Sequence, residues 1–318
     1  MYIIQLIKNN VKKTINHSGI LEVMQVLILT GGSSNERDVS LRSAKNTEAA
    51  LTKAGHDITV IDISDEYILE DELKKIDVVL PIIHGAGGED GEIQTELEKH
   101  GAKFLGSGSR ASAVAFDKMA FKERIAEHGI LTPNWQIVDR DTFASSGLKN
   151  KPYVLKPIKG GSSIDTFIVH NPGHQVSNFE ETFEKYDQLL LEELIVGQEI
   201  TVSVLDKTAL PVILIIPPEG EEFDYDNKYN GKSQELVEPD ILSPKIVKKA
   251  KALAEKVHQL TELEHISRTD MIISPDGAIY TLETNTMPGL TEQSLFPKAA
   301  EATGMSMSDL VEKLIKLI

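Results

Sequence analysis

A chain of 318 residues exceeds the size at which one hydrophobic core keeps growing, so two or three sub-domains sharing interfaces are expected. Its 49 acidic against 33 basic residues, a net charge of -16, disfavour a nucleic-acid partner, which needs a basic surface, and favour a small substrate. The absence of cysteine excludes disulfides, thiolate metal sites and thiol nucleophiles, and no apolar run reaches the length of a membrane span, so a cytoplasmic protein with no membrane partner is expected.

Residues 1–23 carry a few lysines and two short apolar patches but no continuous apolar h-region, and they read as an N-terminal extension or an over-extended start before a domain that begins at residue 24, the alternative being an extra helix packed on that domain. Gln25-Val26-Leu27-Ile28-Leu29-Thr30 stops at Gly31-Gly32, the pattern of a buried parallel strand. A helix over Val39 to Ala54, closed by Gly55, and a strand over His56 to Ile63 complete a βαβ unit. A third strand, Asp77 to Ile83, runs into His84-Gly85, so two polar loops emerge at strand carboxyl ends, where open α/β sheets bind ligands. The first domain is expected over 24–106. Ser109 to His128 reads as one helix with a stop at Gly129, followed by a strand at Tyr153 to Lys156. Strands at 165–170, 189–195, 199–206 and 208–216, separated by turn residues, form an antiparallel pattern, so the fold class passes from α/β to α+β. A helix from Ser243-Pro244, strands at 268–273 and 278–284, and a capped helix over Ser306 to Ile318 close the chain, with sub-domains expected over 107–194 and 195–318.

Asp270 and Glu283 fall on neighbouring predicted strands, and Asn285, two residues after Glu283, returns to the same face. Three oxygen donors can converge there, a set that suits magnesium with its preference for hard oxygen ligands, water and substrate phosphate. The same spacing also describes solvated strand-face acids. In Lys156-Pro157-Ile158-Lys159-Gly160-Gly161-Ser162-Ser163, glycines admit backbone amides to a phosphate and Lys156 supplies a point charge; the alternative is a flexible hairpin tip. Lys118 is a second phosphate lysine or a solvated helix charge. Glu192 and Glu199 could read an adenine edge and ribose hydroxyls, or be exposed strand acids. His84, at a strand end beside a glycine-dense loop, is placed as a hydrogen-bond donor or base. Glu36 could hold a substrate ammonium, or be a helix N-terminal acid stabilised by the macrodipole.

The strings GGSSNERDVS, HGAGGEDG, KPIKGGSS, FDYDNKYN and ETNTMPGLTEQS, in that order, make residues 24–318 resemble the D-alanine:D-alanine ligases, an ATP-grasp family. The resemblance implies an ATP-grasp fold with an N-terminal Rossmann-like parallel-sheet domain. It also implies ATP-dependent ligation of two D-alanine molecules through an acyl phosphate, releasing ADP and phosphate, for peptidoglycan precursor synthesis. The implied cofactors are ATP and magnesium or manganese, two ions; the implied partners are small-molecule D-alanine and ATP, and a second copy in a homodimer. By the same resemblance Glu36 binds the first D-alanine's ammonium beside His84, and Ser162 with Tyr229 links Glu36 to a lid over Phe223 to Pro239. Lys118, Lys156, Glu192 and Glu199 match nucleotide-binding positions. Asp270, Glu283 and Asn285 match metal ligands, Arg268 and the Gly289 amide match oxyanion stabilisers, and Ser294-Leu295 matches the holder of the second carboxylate.

One departure stands out: where the family has glycine two residues after its paired serines, this chain has Asp165, which adds negative charge near a triphosphate unless it turns outward. The linker from Asp139 to Lys151 is also short. The rival substrates are D-serine and D-lactate, and by resemblance Tyr229 argues against D-lactate. A nucleotide-binding regulator without turnover is disfavoured by the presence of Glu36, Arg268, Asp270 and Glu283. A dinucleotide-dependent oxidoreductase is weaker still, because Gly31-Gly32-Ser33-Ser34 is not GxGxxG.

Overall fold

The structure, a computed structural model, describes residues 23–64, 73–172, 179–218 and 233–318. The expected extension, apart from its last residue, and Tyr229 with most of the expected lid lie outside the described residues. The chain forms two compact units, one of residues up to Ser109 together with Met287–Ile318, the other of Arg110–Thr286. The division expected after residue 106 falls close to the first boundary. The division expected after 194 lies within the second unit, and residues 287–318 return to the first.

In the first unit Gln25–Thr30 is the central strand of a parallel sheet, between Asp57–Asp62 and Val78–Pro81. Val26 to Leu29 are all buried, since a central strand covered on both faces leaves no place for a polar side chain. The helix Arg37–Ala54 makes the crossover that parallel neighbours require, and it buries Val39, Ser43, Thr47, Ala50 and Leu51 along one side. Leu27, Leu29, Ile61, Val79, Ile83 and Leu97 form the core on which that sheet rests. The closing helix Met307–Leu317 packs on Arg37–Ala54 and buries Leu310, Val311, Leu314 and Ile315. Its start is fixed by a reciprocal box in which Ser306 Oγ accepts from Asp309 N at 3.2 Å and Ser306 N donates to Asp309 Oδ2 at 3.0 Å.

The second unit holds two antiparallel sheets. The smaller runs Trp135–Val138, Leu189–Glu193, Tyr153–Pro157, Phe167–Val169. The larger runs Gln234–Val237, Ile213–Ile216, Gln198–Leu205, Ile266–Ile273, Ile279–Asn285, with Thr208–Ala209 added to Gln198–Leu205. The helix Pro244–Leu260, capped by Ser243 with proline in its first turn, places Ala250 and Ala254 in the core with Val202, Val204 and Met271.

Two local expectations are corrected, and one strand was not expected at all. The helix expected over Ser109 to His128 is broken into Ser109–Phe116 and Lys118–Glu127. Asp117 at the break accepts from Met119 N and Ala120 N, both at 3.1 Å, and Lys118 N donates to Ile158 O at 3.0 Å, so a long-range pairing overrides helix propagation. Trp135–Val138 is an edge strand that its own sequence does not announce. Gln234–Val237, placed in the expected lid, instead pairs antiparallel with Ile213–Ile216; its side chains alternate between exposed and half-buried, as on an edge strand covered on one face.

Candidate active site

Between the two sheets of the second unit lies a cavity of about 540 Å³, the size of a small-molecule site. Lys118, Lys156, Glu192, Glu199, Asp270 and Glu283 all line it, with apolar walls from residues such as Ile168, Ile216 and Ile272. Glu192 is only 2% exposed. Its carboxylate lies 2.8 Å from Lys156 Nζ and 2.7 Å from Lys122 Nζ, so one anion is shared by two cations. Lys122 also donates to Thr132 Oγ1 at 2.5 Å and sits 5.4 Å from the centre of the Trp135 ring. Burial alone would raise the Glu192 carboxyl, yet the two ammonium charges and their hydrogen bonds hold it below the usual carboxylate range. Burial likewise acts to lower Lys156, but the charges of Glu192 and Glu283 prevail and hold its ammonium above the ordinary lysine value. At Lys118 and Lys122 burial prevails, and both are pushed below it.

The loop after Tyr153–Pro157 forms one wall of this cavity through Gly160, Gly161, Ser163, Ile164 and Thr166. Ser162, Ser163 and Asp165 have φ of 51°, 57° and 53°, a left-handed run whose cost is roughly 1 kcal/mol per residue. Lys118 holds the near end of the loop, donating from Nζ to Gly160 O at 2.5 Å. Asp165 turns outward: its carboxylate accepts from Tyr186 Oη at 2.6 Å and from Lys185 Nζ, and it takes no part in the cavity wall. Ser162 itself is buried.

On the larger sheet Asp270 stands directly opposite Glu283, and Arg268 opposite Asn285, so the two-residue spacing holds for these four, while the register shifts just beyond them, between Asp270 and Met271. Like charges so placed repel. Here Arg268 grips Asp270 with both prongs, Nε at 2.9 Å from Oδ1 and Nη2 at 2.8 Å from Oδ2, and Lys118 Nζ lies 3.6 Å from Glu283. Thr201 Oγ1 adds a third donor to Asp270 at 2.6 Å. A carboxylate offers about four lone-pair sites, so Asp270 keeps one for a cation. Among the described residues no group of three or more His, Asp or Glu is arranged to hold a metal. Two carboxylates and the Asn285 amide nevertheless fit a hard cation that completes its shell with water and phosphate oxygens.

In the first unit the two loops at the strand ends meet. A Cβ on Gly85, φ 76°, would fall 2.7 Å from Glu36 Oε2, so the Glu36 carboxylate lies against the His84-Gly85 turn, and only glycine allows that approach. Glu36 occupies the N-cap position of Arg37–Ala54, but its side chain makes no capping hydrogen bond. His84 is 4% exposed, with Nδ1 at 3.0 Å from Met287 O and Nε2 at 3.1 Å from Ser43 Oγ. A carbonyl only accepts, so Nδ1 carries the proton; Ser43, whose Oγ also accepts from Leu290 N at 3.1 Å, then donates to Nε2. Both ring nitrogens are thereby committed, which fits orientation of the 287–290 segment better than a free base. Glu89 adds two ties, accepting from Gly85 N at 2.8 Å and Met287 N at 3.2 Å. Within that segment Gly289 is closely packed, since a Cβ there would fall 2.6 Å from Ser294 Oγ. Ser294 stands at the N-cap position of Leu295–Glu301 without a capping bond from its side chain, and its hydroxyl bonds to Thr291 Oγ1 at 2.7 Å.

Sequence reasoning missed Lys122, Glu89 and Ser43. A lysine or serine on a helix carries no local mark of burial, because its partners, Glu192 and Leu290, are far along the chain. Glu89 had a signal: it lies inside the glycine-dense run that singled out His84.

The family model described as D-ala D-ala ligase C-terminus matches residues 125–316. A D-alanine–D-alanine ligase of Syntrophotalea carbinolica is 37% identical over 93% of this chain and 96% of that protein. One of Nitratidesulfovibrio vulgaris is 39% identical over 92% of this chain and 98% of that protein. The crystal structure of the Bacillus anthracis D-alanine–D-alanine ligase complexed with ATP superposes with a TM-score of 0.78 at 29% identity, covering 93% of this chain and 97% of that one.

Proposed function

Since the chain belongs to the D-alanine–D-alanine ligase family, we propose that it joins two D-alanine molecules to D-alanyl-D-alanine, consuming ATP and releasing ADP and phosphate, in peptidoglycan precursor synthesis. The observation that carries this reading is the convergence of Lys118, Lys156, Asp270 and Glu283 on one cavity large enough for a nucleotide. The carboxylate of the first D-alanine attacks the γ-phosphorus, the bond to ADP breaks, and an acyl phosphate forms. The amine of the second D-alanine then attacks the acyl carbon, loses a proton, and phosphate leaves. Such chemistry needs positioning and charge neutralisation more than covalent participation by the protein.

Lys118 and Lys156 neutralise the phosphates, and phosphate charge restores the proton affinity that burial removes from Lys118. Glu192 aligns Lys156, and Glu192 with Glu199 contacts the nucleoside. Asp270, Glu283 and Asn285 would hold magnesium or manganese, two ions, which supply Lewis-acid neutralisation of the triphosphate when bound. Arg268 and the Gly289 amide stabilise the oxyanion. Glu36 holds the first ammonium, His84 orients that subsite, Ser162 acts with Tyr229 in tying Glu36 to the lid segment, and Ser294 with Leu295 holds the second carboxylate. We further propose a cytoplasmic homodimer; among the described residues no helix is long and apolar enough to cross a membrane.

The test is phosphate release with ATP, magnesium and D-alanine, set beside L-alanine, D-serine and D-lactate. D-alanine-dependent release is expected, and its absence overturns the reading. Asp270→Asn or Glu283→Gln should lower kcat by roughly 100-fold or more, as loss of a transition-state charge contact does; unchanged turnover would remove the metal assignment.

A further inference from the structure

The turns within the loop at 159–166 are closed by long hydrogen bonds. These bonds, Ile164 N to Gly161 O and Thr166 N to Ser163 O, are both 3.3 Å long, while three of the loop's non-glycine residues are left-handed. Backbone in such a state persists only where its surroundings over-determine it. Lys118 supplies a tie at the Gly160 end. The tie at the other end is Asp165, whose Oδ2 accepts from both Tyr186 Oη, at 2.6 Å, and Lys185 Nζ. Those donors stand on firm ground: Tyr186 N bonds to Thr182 O at 2.9 Å at the end of the helix Phe179–Lys185, and Phe183 and Tyr186 pack on the core of the smaller sheet. Burial would raise the Asp165 carboxyl, but the two donors hold it below the usual range, so it remains an anion in the clasp.

We propose that Asp165 is a positioning residue for the nucleotide, its clasp with Tyr186 and Lys185 holding Gly160, Gly161, Ser163 and Ile164 on the cavity wall. The role rests on the reading of that cavity as the ATP site. An exposed ion pair alone is worth little, and the Lys185 side chain is 56% exposed, so the half-buried Tyr186 hydroxyl carries more of the restraint. A loop that spends part of its time off the wall reduces apparent affinity by the competent fraction and leaves the chemical step of the loaded enzyme unchanged.

The experiment measures binding of a non-hydrolysable ATP analogue with magnesium by calorimetry, amide exchange over 160–166, and steady-state kinetics. Lys185→Met with Tyr186→Phe should weaken the analogue roughly 3- to 10-fold and speed exchange in the loop. Asp165→Gly, which removes clasp and strain together, should do the same. Asp165→Asn, which tolerates the left-handed backbone and keeps a partner for Tyr186, should fall between. The KM for ATP follows the affinity, while kcat and the KM for D-alanine stay within about twofold of wild type. Unchanged analogue affinity in the Lys185→Met, Tyr186→Phe double variant overturns the proposal, as does a fall in kcat at constant affinity. If wild type binds the analogue yet shows no D-alanine-dependent phosphate release, the ligase reading fails while the clasp is still tested. If wild type turns over and the variants bind normally, the clasp alone fails.

Discussion

In the first unit the His84 ring bonds to a hydroxyl and a peptide carbonyl; in the second the Glu192 carboxylate pairs with two ammonium groups. Both are almost wholly buried and each ties together segments far apart in sequence, His84 to Ser43 and Met287, Glu192 to Lys122 and Lys156. They differ in how they fail. Losing one neutral bond leaves dipoles unsatisfied, whereas losing the central anion leaves two buried cations facing each other without the charge they share. The neutral arrangement holds backbone in place on its own account, and the charged one is stable only while its charges balance.

The sharpest test of that contrast is Glu192→Gln, which strands Lys122 and Lys156 and should cost about 3–5 kcal/mol in denaturant unfolding. Lys122→Met removes one cation and leaves Glu192 paired with Lys156, so it should cost less than half as much. A larger loss for Lys122→Met than for Glu192→Gln would break the comparison.

His258 asks whether the unit or the chemistry sets the behaviour, because it is a neutral histidine buried in the charged unit. Its Nδ1 lies 2.8 Å from Ser267 Oγ, and burial first, with the nearby His265, pushes its pKa down from 6.5 to about 4 against the opposing charge of Asp206. The folded state therefore resists a proton that the unfolded state accepts. Its stabilising contribution is complete above pH 6.5, declines as the pH falls through about 4, and is constant below that. The span corresponds to about 3 kcal/mol. Unfolding free energies from pH 7 to 4 should show that slope, and His258→Gln should flatten it; an unchanged slope refutes the assignment.

Local chemistry makes part of this molecule legible in its sequence. The apolar run Val26 to Leu29 and the Ser243 and Ser306 caps specify a buried strand and two helix starts without reference to any distant residue, and each is found as expected. The two-residue period likewise brings Asp270, Glu283 and Asn285 onto paired strands. The illegible part depends on partners far along the chain. The break at Asp117 follows from Lys118 N reaching Ile158 O, and the outward turn of Asp165 follows from Tyr186 and Lys185. Lys122 has the look of a solvated helix charge because nothing near it in sequence announces Glu192. The polar strand Gln234–Val237 passes for lid because an edge strand has half the apolar pattern of a central one.

The smallest expected effect comes from the neutral hub itself. Ser43 is fully buried, donates to His84 Nε2 and accepts from Leu290 N, so Ser43→Ala removes one partner from each. Both remaining groups have other structure around them, and the cost should be about 2 kcal/mol, with an unchanged denaturant slope. The variant also tests the proton assignment. With Met287 O fixed as an acceptor, the His84 ring should show the Nδ1-protonated neutral tautomer by nitrogen NMR at about pH 8, and Ser43→Ala should shift the Nε2 resonance while leaving Nδ1 protonated. An Nε2-protonated ring in the wild type would reverse the direction of the Ser43 bond. The 287–290 segment would then lose its bond from the His84 ring to Met287 O, while Leu290 N would still donate to Ser43, whose hydroxyl can accept twice.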